Sequence, residues 1–346
     1  MRIKFIELFA GIGGFRLGFK QACASLGLKP ECVFSSEINK FARQTYAANF
    51  GEEPAGDITK ISSADIYRCK GKNDILFLFA GFPCQPFSKS GKMKGWSDER
   101  NMIPHMLRVI EDKKPDVFIL ENVKGFKSKK FKDIYNRLMW ELKVVCGYTV
   151  YERIYNAKAI VPQNRERVFF VGFKNEVDFK FPELPELGLK MRDVLFEEVP
   201  EKYTLYDKTW NYLQRKAGDY RNGFGYRIAE PEGTGGTLTT RYKNDGAEIL
   251  IEQKGNNPRR MTPRECARYM GFPDSFKIVV SDSQAYKQLG NAVVPAVVEC
   301  IAEGALRVME FKNKRTNKKS RKKIEYNPLL DAALNTMRNN FLYRMG

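Results

Sequence analysis

The sequence predicts a doubly wound α/β fold, and three observations carry that prediction. Segments of strand length and character (residues 3–9, 33–37, 75–80 and 117–121) recur through the first 121 residues. Strands alternate with helices over that stretch, the first connection being a glycine turn and a helical pattern over 15–26. The runs at 75–80 (ILFLFA) and 117–121 (VFILE) are apolar throughout rather than alternating, which marks parallel strands covered on both faces.

Taken in order, residues 3–9 (IKFIELF) form a buried strand, followed by the turn Phe9-Ala-Gly11-Ile-Gly13-Gly14 and the helix 15–26. The second strand, 33–37, ends on Glu37. The third, 75–80, is bounded by Asp74 and Gly81 and opens into Gly81-Phe-Pro-Cys84-Gln-Pro-Phe-Ser88, and the fourth, 117–121, ends on Glu121, with Asn-Val123 following. Gln163-Asn-Arg165-Glu-Arg167 leads into another strand, whose alternation puts Arg165 and Arg167 on one side. From about 180 to 258 the alternation stops, and mixed aromatic, glycine and polar residues predict a smaller, irregular, mostly β domain. A helix returns at 262–270, with Thr262 as cap and Pro263 at its first position, and another at 296–308. The main domain is thus expected over 1–179, completed by 259–311, with a basic linker at 312–325. An amphipathic helix is expected at 326–346, with Leu330, Leu334, Met337, Phe341 and Met345 on one face.

Composition narrows the function. The 346 residues are 43% hydrophobic, enough for a substantial core, and no run reaches the roughly 20 apolar residues of a membrane span. The N-terminus enters its first strand with no signal-peptide layout, and seven cysteines never spaced CxxC suit a reducing cytoplasm. His105 is the only histidine, which argues against a histidine triad or a multi-histidine metal site; no metal is expected. The net charge is +18. Eight basic side chains lie in 312–323, and the remainder still carries +10, which suits a polyanion such as nucleic acid.

In doubly wound sheets ligands lie beyond the carboxyl ends of the strands, where four segments carry candidate chemistry. The glycine turn after Phe9 lets a cofactor approach the backbone, but Arg16 stands where a dinucleotide fingerprint has its third glycine. Glu37 could accept from ribose hydroxyls, and Asp57 from an adenine amino group. Cys84, flanked by Pro83 and Pro86, sits in a preset loop suited to aiming a nucleophile. With no histidine near, arginine or lysine must favour its thiolate. Residues 89–96, Lys-Ser-Gly-Lys-Met-Lys-Gly-Trp, form a glycine-hinged basic loop suited to closing over a substrate. Glu121 offers a carboxyl at the next strand end.

These segments in this order resemble the bacterial DNA (cytosine-5)-methyltransferases of restriction-modification systems. The resemblance spans residues 3 to about 305 and is weakest over 180–258. It rests on FAGIGG, GFPCQPFS, ENV, QNRER, the stretch Arg259-Arg-Met-Thr-Pro-Arg-Glu-Cys-Ala-Arg268 and Gln288-Leu-Gly-Asn-Ala-Val-Val-Pro295. It implies a Rossmann-like domain binding S-adenosylmethionine, a target-recognition domain over 180–258, and methyl transfer to C5 of a flipped cytosine in double-stranded DNA. By the same resemblance Cys84 adds covalently to C6, Glu121 serves N3, Arg165 orients the base and Arg167 supports it. Cofactor contacts fall to Phe9, Gly11, Ile12, Glu37, Asp57, Ile58, Pro83, Ile103 and Asn291, and DNA contacts to Gln85, Ser88, Ser90, Lys92 and Thr237. Asn101 departs from the family, which commonly has glycine after Arg100. The resemblance further implies a monomer in the bacterial cytoplasm, associated with the nucleoid, with a cognate restriction endonuclease as functional partner. The rivals are a tRNA cytosine-5 methyltransferase from the same family, a nicotinamide oxidoreductase and a non-catalytic DNA-binding protein. Comparing duplex DNA with tRNA as acceptor separates the first, and a cofactor soak the second. The intact Cys84, Glu121, Arg165 set argues against the third.

Overall fold

Apolar alternation sorts the sheet's side chains onto two faces, each with its own core. The computed structural model describes residues 2–67, 71, 74–83, 96, 100–216 and 225–317. Among them, β1 (Arg2–Leu8), β2 (Pro30–Ser36), β3 (Asp74–Gly81), β4 (Val117–Val123), β5 (Thr149–Asn156) and β6 (Glu166–Phe173) form one sheet in the order β2-β1-β3-β4-β6-β5. Phe5, Phe77, Phe79 and Ile119 point to one face and Ile6, Leu76, Leu78 and Leu120 to the other, the period of two that a strand imposes. The first face is covered by α1 (Gly14–Ser25) and α8 (Pro295–Asn317) through residues such as Phe19 and Ile301. The second is covered by α3 (Ile103–Lys113) and α4 (Lys132–Trp140) through Met106, Ile110 and Leu138. The ring of Phe19 packs 4.8 Å from those of both Phe77 and Phe79. Burying each such ring stabilises the fold by about 1.5–3 kcal/mol.

Strands β1 to β4 are parallel, so Leu8, Ser36, Gly81 and Val123 all end at one edge of the sheet. β6 runs antiparallel to both β4 and β5, and its first residues therefore reach the same edge, with Arg167 opposite Val123. The four expected strands and the helix after the glycine turn are present. The helix α2 (Lys40–Phe50), capped by the Asn39 side chain on the Phe41 and Ala42 N–H groups, completes the crossover from β2.

Segment 180–258, expected to be irregular and mostly β, is mostly irregular among the described residues, with little strand and one α-helix, α5 (Asp207–Lys216), that the sequence did not mark. Strands β7 (Leu250–Gln253) and β8 (Asn256–Arg260) form a two-stranded sheet. Leu205, Leu213, Ala247 and Leu250 make a small core of their own, whereas Leu238, Tyr242 and Ile249 pack into the main core. The returning chain forms α6 (Pro263–Tyr269), with Thr262 as its cap and Pro263 first as expected and Glu265 completing a capping box, and α7 (Asp282–Asn291). Helix α8 runs to Asn317, so the stretch expected as a linker from residue 312 begins as helix; no glycine or proline between 309 and 317 stops it. The rest of the linker and the amphipathic segment 326–346 lie outside the described residues. No helix among the described residues is long and apolar enough to cross a membrane.

Glu265, fully buried, ties α6 to segment 180–258. It accepts from both Arg259 terminal nitrogens at 2.9 Å and from the backbone N–H groups of Phe196 (2.8 Å) and Thr262 (2.7 Å). Glu265→Ala would leave the Arg259 charge buried and unpaired, so unfolding free energy in a denaturant titration is expected to fall by about 3–5 kcal/mol. A loss within ~0.5 kcal/mol would mean the pair is not what joins these segments.

Candidate active site

The carboxyl ends of β1 to β4 open onto a cavity of about 470 Å³. Its wall carries Phe9, Gly11, Ile12, Glu37, Pro83, Glu121, Arg165, Arg167 and Asn291, all expected from the sequence. Gly13 shapes the turn after β1: it has φ +84°, and a Cβ there would meet the Phe50 ring 2.2 Å away. Glu37 braces the turn from the next strand, its Oε2 accepting from the Gly11 N–H at 2.9 Å and its Oε1 from the Asn39 N–H at 2.8 Å. Each carboxylate oxygen keeps a further acceptor site for a ligand hydroxyl.

Beneath the turn lies the reason Arg16 occupies a position where dinucleotide folds have glycine. Its backbone N–H donates to buried Glu7 (3.3 Å), Tyr46 donates its hydroxyl to the other Glu7 oxygen (2.9 Å), and the Arg16 guanidinium donates to the Tyr46 oxygen (3.1 Å) and pairs with Glu52. Burial pushes the Glu7 carboxyl up to about 7 against the pull of Tyr46 and Arg16. Arg16 also lies over the Phe50 ring, 4.6 Å from its centroid. The position is filled by a buried polar brace, so a dinucleotide phosphate has no glycine to approach there.

Glu121 faces Arg167, with Oε1 3.0 Å from Nε and the Glu121 side chain 14% exposed. Burial raises its pKa above the ordinary carboxyl value, while Arg167 and Arg165 pull it down. Next to it, Asn122 donates its Nδ2–H to the Phe82 carbonyl at 3.1 Å, locking the end of β4 to the segment that leads into Cys84. Arg165 is 2% exposed and donates to the carbonyls of Leu238 (3.0 Å), Gly290 (3.1 Å) and Ala292 (2.8 Å). The two arginines, both on the cavity wall, thus differ in their partners. Arg165 spends its terminal nitrogens on backbone, and Arg167 is the one that reaches the Glu121 carboxylate.

Three expected cofactor contacts lie off the cavity wall. Ile58 and Ile103 are 4% and 0% exposed in the apolar core, so their side chains cannot meet a ligand. Asp57 caps a short 3₁₀ turn by accepting from the Thr59 N–H at 3.0 Å. Thr237 donates its hydroxyl to the Asn164 carbonyl at 2.6 Å. Cys84, Gln85, Ser88, Ser90 and Lys92 lie outside the described residues. The sequence reasoning passed over Ile38 and Gln288, which also line the cavity. Ile38, 69% exposed directly after Glu37, is an apolar side chain left in the open beside an acceptor, a signal visible only once its exposure is known.

Strand-end chemistry gathered around one cavity defines a cofactor-dependent enzyme of the doubly wound α/β class. Residues 3–307 match the family described as C-5 cytosine-specific DNA methylase, and the chain belongs to that family. It is 47% identical to the type II methyltransferase M.NlaX of Neisseria lactamica over 87% of this chain and 95% of that protein. It is 45% identical to the type II methyltransferase M1.ScrFI of Lactococcus lactis subsp. cremoris over 90% and 80%, respectively. The fold is also similar to that of the Entamoeba histolytica methyltransferase EhMeth, with a TM-score of 0.71 and 24% identity over 89% of this chain and 99% of that one. Its reaction is methyl transfer to C5 of cytosine in DNA, and the donor is S-adenosylmethionine. The cavity fits that donor: Glu37 keeps acceptor sites for the ribose diol, Phe9 and Ile38 offer apolar surface to the adenine, and the Gly11 turn admits close backbone approach.

Proposed function

We propose that this chain is a type II methyltransferase that modifies one cytosine within a specific duplex sequence, through a transient bond between Cys84 and C6 of the flipped base. The observation that carries the reading is the Glu121–Arg167 pair on the wall of the cofactor cavity, at the strand end next to Phe82 and Pro83, which lead into Cys84. S-adenosylmethionine, when bound, supplies an electrophilic methyl group on its sulfonium sulfur. Phe9, Gly11, Ile12, Glu37, Pro83 and Asn291 hold it. Rotating the cytosine out of the duplex costs a few kcal/mol, and Gln85, Ser88, Ser90 and Lys92 contact the DNA. Thr237 contacts the backbone near the target. The Cys84 thiolate adds to C6 while Glu121 gives a proton to N3, which makes C5 electron-rich enough to take the methyl group. Arg167 orients the ring and Arg165 holds the surrounding backbone. Loss of the C5 proton and expulsion of Cys84 restore the aromatic ring.

Residues 180–258 read the target sequence, and the protein acts as a monomer on cytoplasmic DNA, protecting it from a cognate endonuclease. Methyl transfer from labelled S-adenosylmethionine onto duplex DNA and onto bulk tRNA tests the substrate. DNA alone is expected to gain label; label on tRNA alone would establish the tRNA enzyme instead.

A further inference from the structure

Arg165 joins two segments that the chemistry keeps separate. On one side is the strip Gly235–Leu238, pinned to residues 162–164. Gly235 donates to the Pro162 carbonyl and accepts from the Asn164 N–H, both at 2.9 Å, and Leu238 donates its N–H to the Gln163 Oε1 at 3.1 Å. On the other side is the end of α7, where Gly290, Asn291 and Ala292 form part of the cofactor cavity wall. The two meet closely: a Cβ on Gly290 would lie 2.6 Å from the Thr239 carbonyl oxygen. The Arg165 guanidinium spans them, one terminal nitrogen on Leu238 and the other on Gly290 and Ala292, with no carboxylate in the bridge. Glu121 acts on this buried cation only through space, and the cation's hydrogen bonds, all to carbonyls, persist only while both segments keep their places. Displacing either one strands charge on the other.

We propose that Arg165 is a positioning residue that couples DNA binding to cofactor binding, because it fixes the residue after Thr237 and the residues flanking Asn291 with one rigid fork. A ligand that orders either segment then prepares the other, and the linkage is reciprocal. This rests on the reading that Thr237 faces DNA and Asn291 the cofactor. A lysine in its place would retain positive charge but, as a compact point donor, would not span the two segments in the same geometry.

The test measures dissociation constants of S-adenosylhomocysteine with and without a duplex carrying the target mapped by bisulfite sequencing, and of that duplex with and without S-adenosylhomocysteine. The wild-type protein is expected to bind each ligand about 5-fold or more tighter in the presence of the other, by the same factor both ways. Arg165→Lys is expected to bring that factor close to one, whatever it does to either affinity alone. An unchanged factor in Arg165→Lys would assign Arg165 a merely structural role and overturn the proposal. Independent binding by the wild-type protein overturns it without any variant. A wild-type protein that binds no duplex at all refutes the underlying DNA reading, and the coupling with it.

Discussion

Cys84→Ser protein is expected to form no covalent complex with a duplex containing 5-fluorocytosine at the target, and to lose methyl transfer by at least ~10⁴-fold, the scale on which an activated nucleophile counts. The fluorine cannot leave as a proton does, so the wild-type enzyme is trapped with its sulfur on C6 after methyl transfer. A serine hydroxyl is far less acidic than a thiol, and the chain's single histidine, His105, lies on α3 rather than on the cavity wall. With no histidine for the task, a thiolate at Cys84 needs an arginine or lysine to favour it, as the sequence leads one to expect. The complex is resolved by denaturing gel electrophoresis. Its persistence in the serine variant would place the nucleophile elsewhere.

Glu121→Gln is expected to slow methyl transfer by ~10²–10⁴-fold, the usual worth of a positioned general acid, while changing duplex affinity far less. The pH profile adds a sign. Burial holds the Glu121 carboxyl above its ordinary pKa, so its acid form survives to higher pH than in an exposed carboxylate and is lost as pH rises through the raised value. The wild-type rate should therefore show a descending limb at that pKa, superimposed on the rise from Cys84 ionisation. Glutamine matches the shape but has no proton to give, so this limb should vanish. Equal losses of rate and affinity with the limb unchanged would make Glu121 structural. Arg167, 3.0 Å away, works against protonation, and the raised value shows burial winning over that ion pair.

Much of this site was legible before any coordinates, because strand-end residues in a parallel sheet fall at one edge by topology alone. Phe9, Glu37, Pro83 and Glu121 came from four separate strands, and the parallel order of β1 to β4 delivers them to one cavity. The reversal of β6 was not legible. The run Val168-Phe-Phe-Val171 is apolar whichever way it is laid, and only its pairing between β4 and β5 turns Arg167 toward Glu121. The different partners of Arg165 and Arg167 were not legible for a related reason. Alternation sets which side a residue faces, not which carbonyls wait there, and Leu238 and Gly290 lie 73 and 125 residues further along the chain. Ile58 and Ile103 bury their side chains off the cavity wall because an apolar residue near a site is equally at home in the core beneath it.

The most direct measurement is the nucleoside composition and bisulfite map of DNA from cells expressing the protein against cells that do not. The account requires 5-methyldeoxycytidine to appear at a single recurring sequence and to vanish with Cys84→Ser. A genome with no added 5-methyldeoxycytidine, or with methyl groups only on exocyclic amino nitrogens, would contradict it.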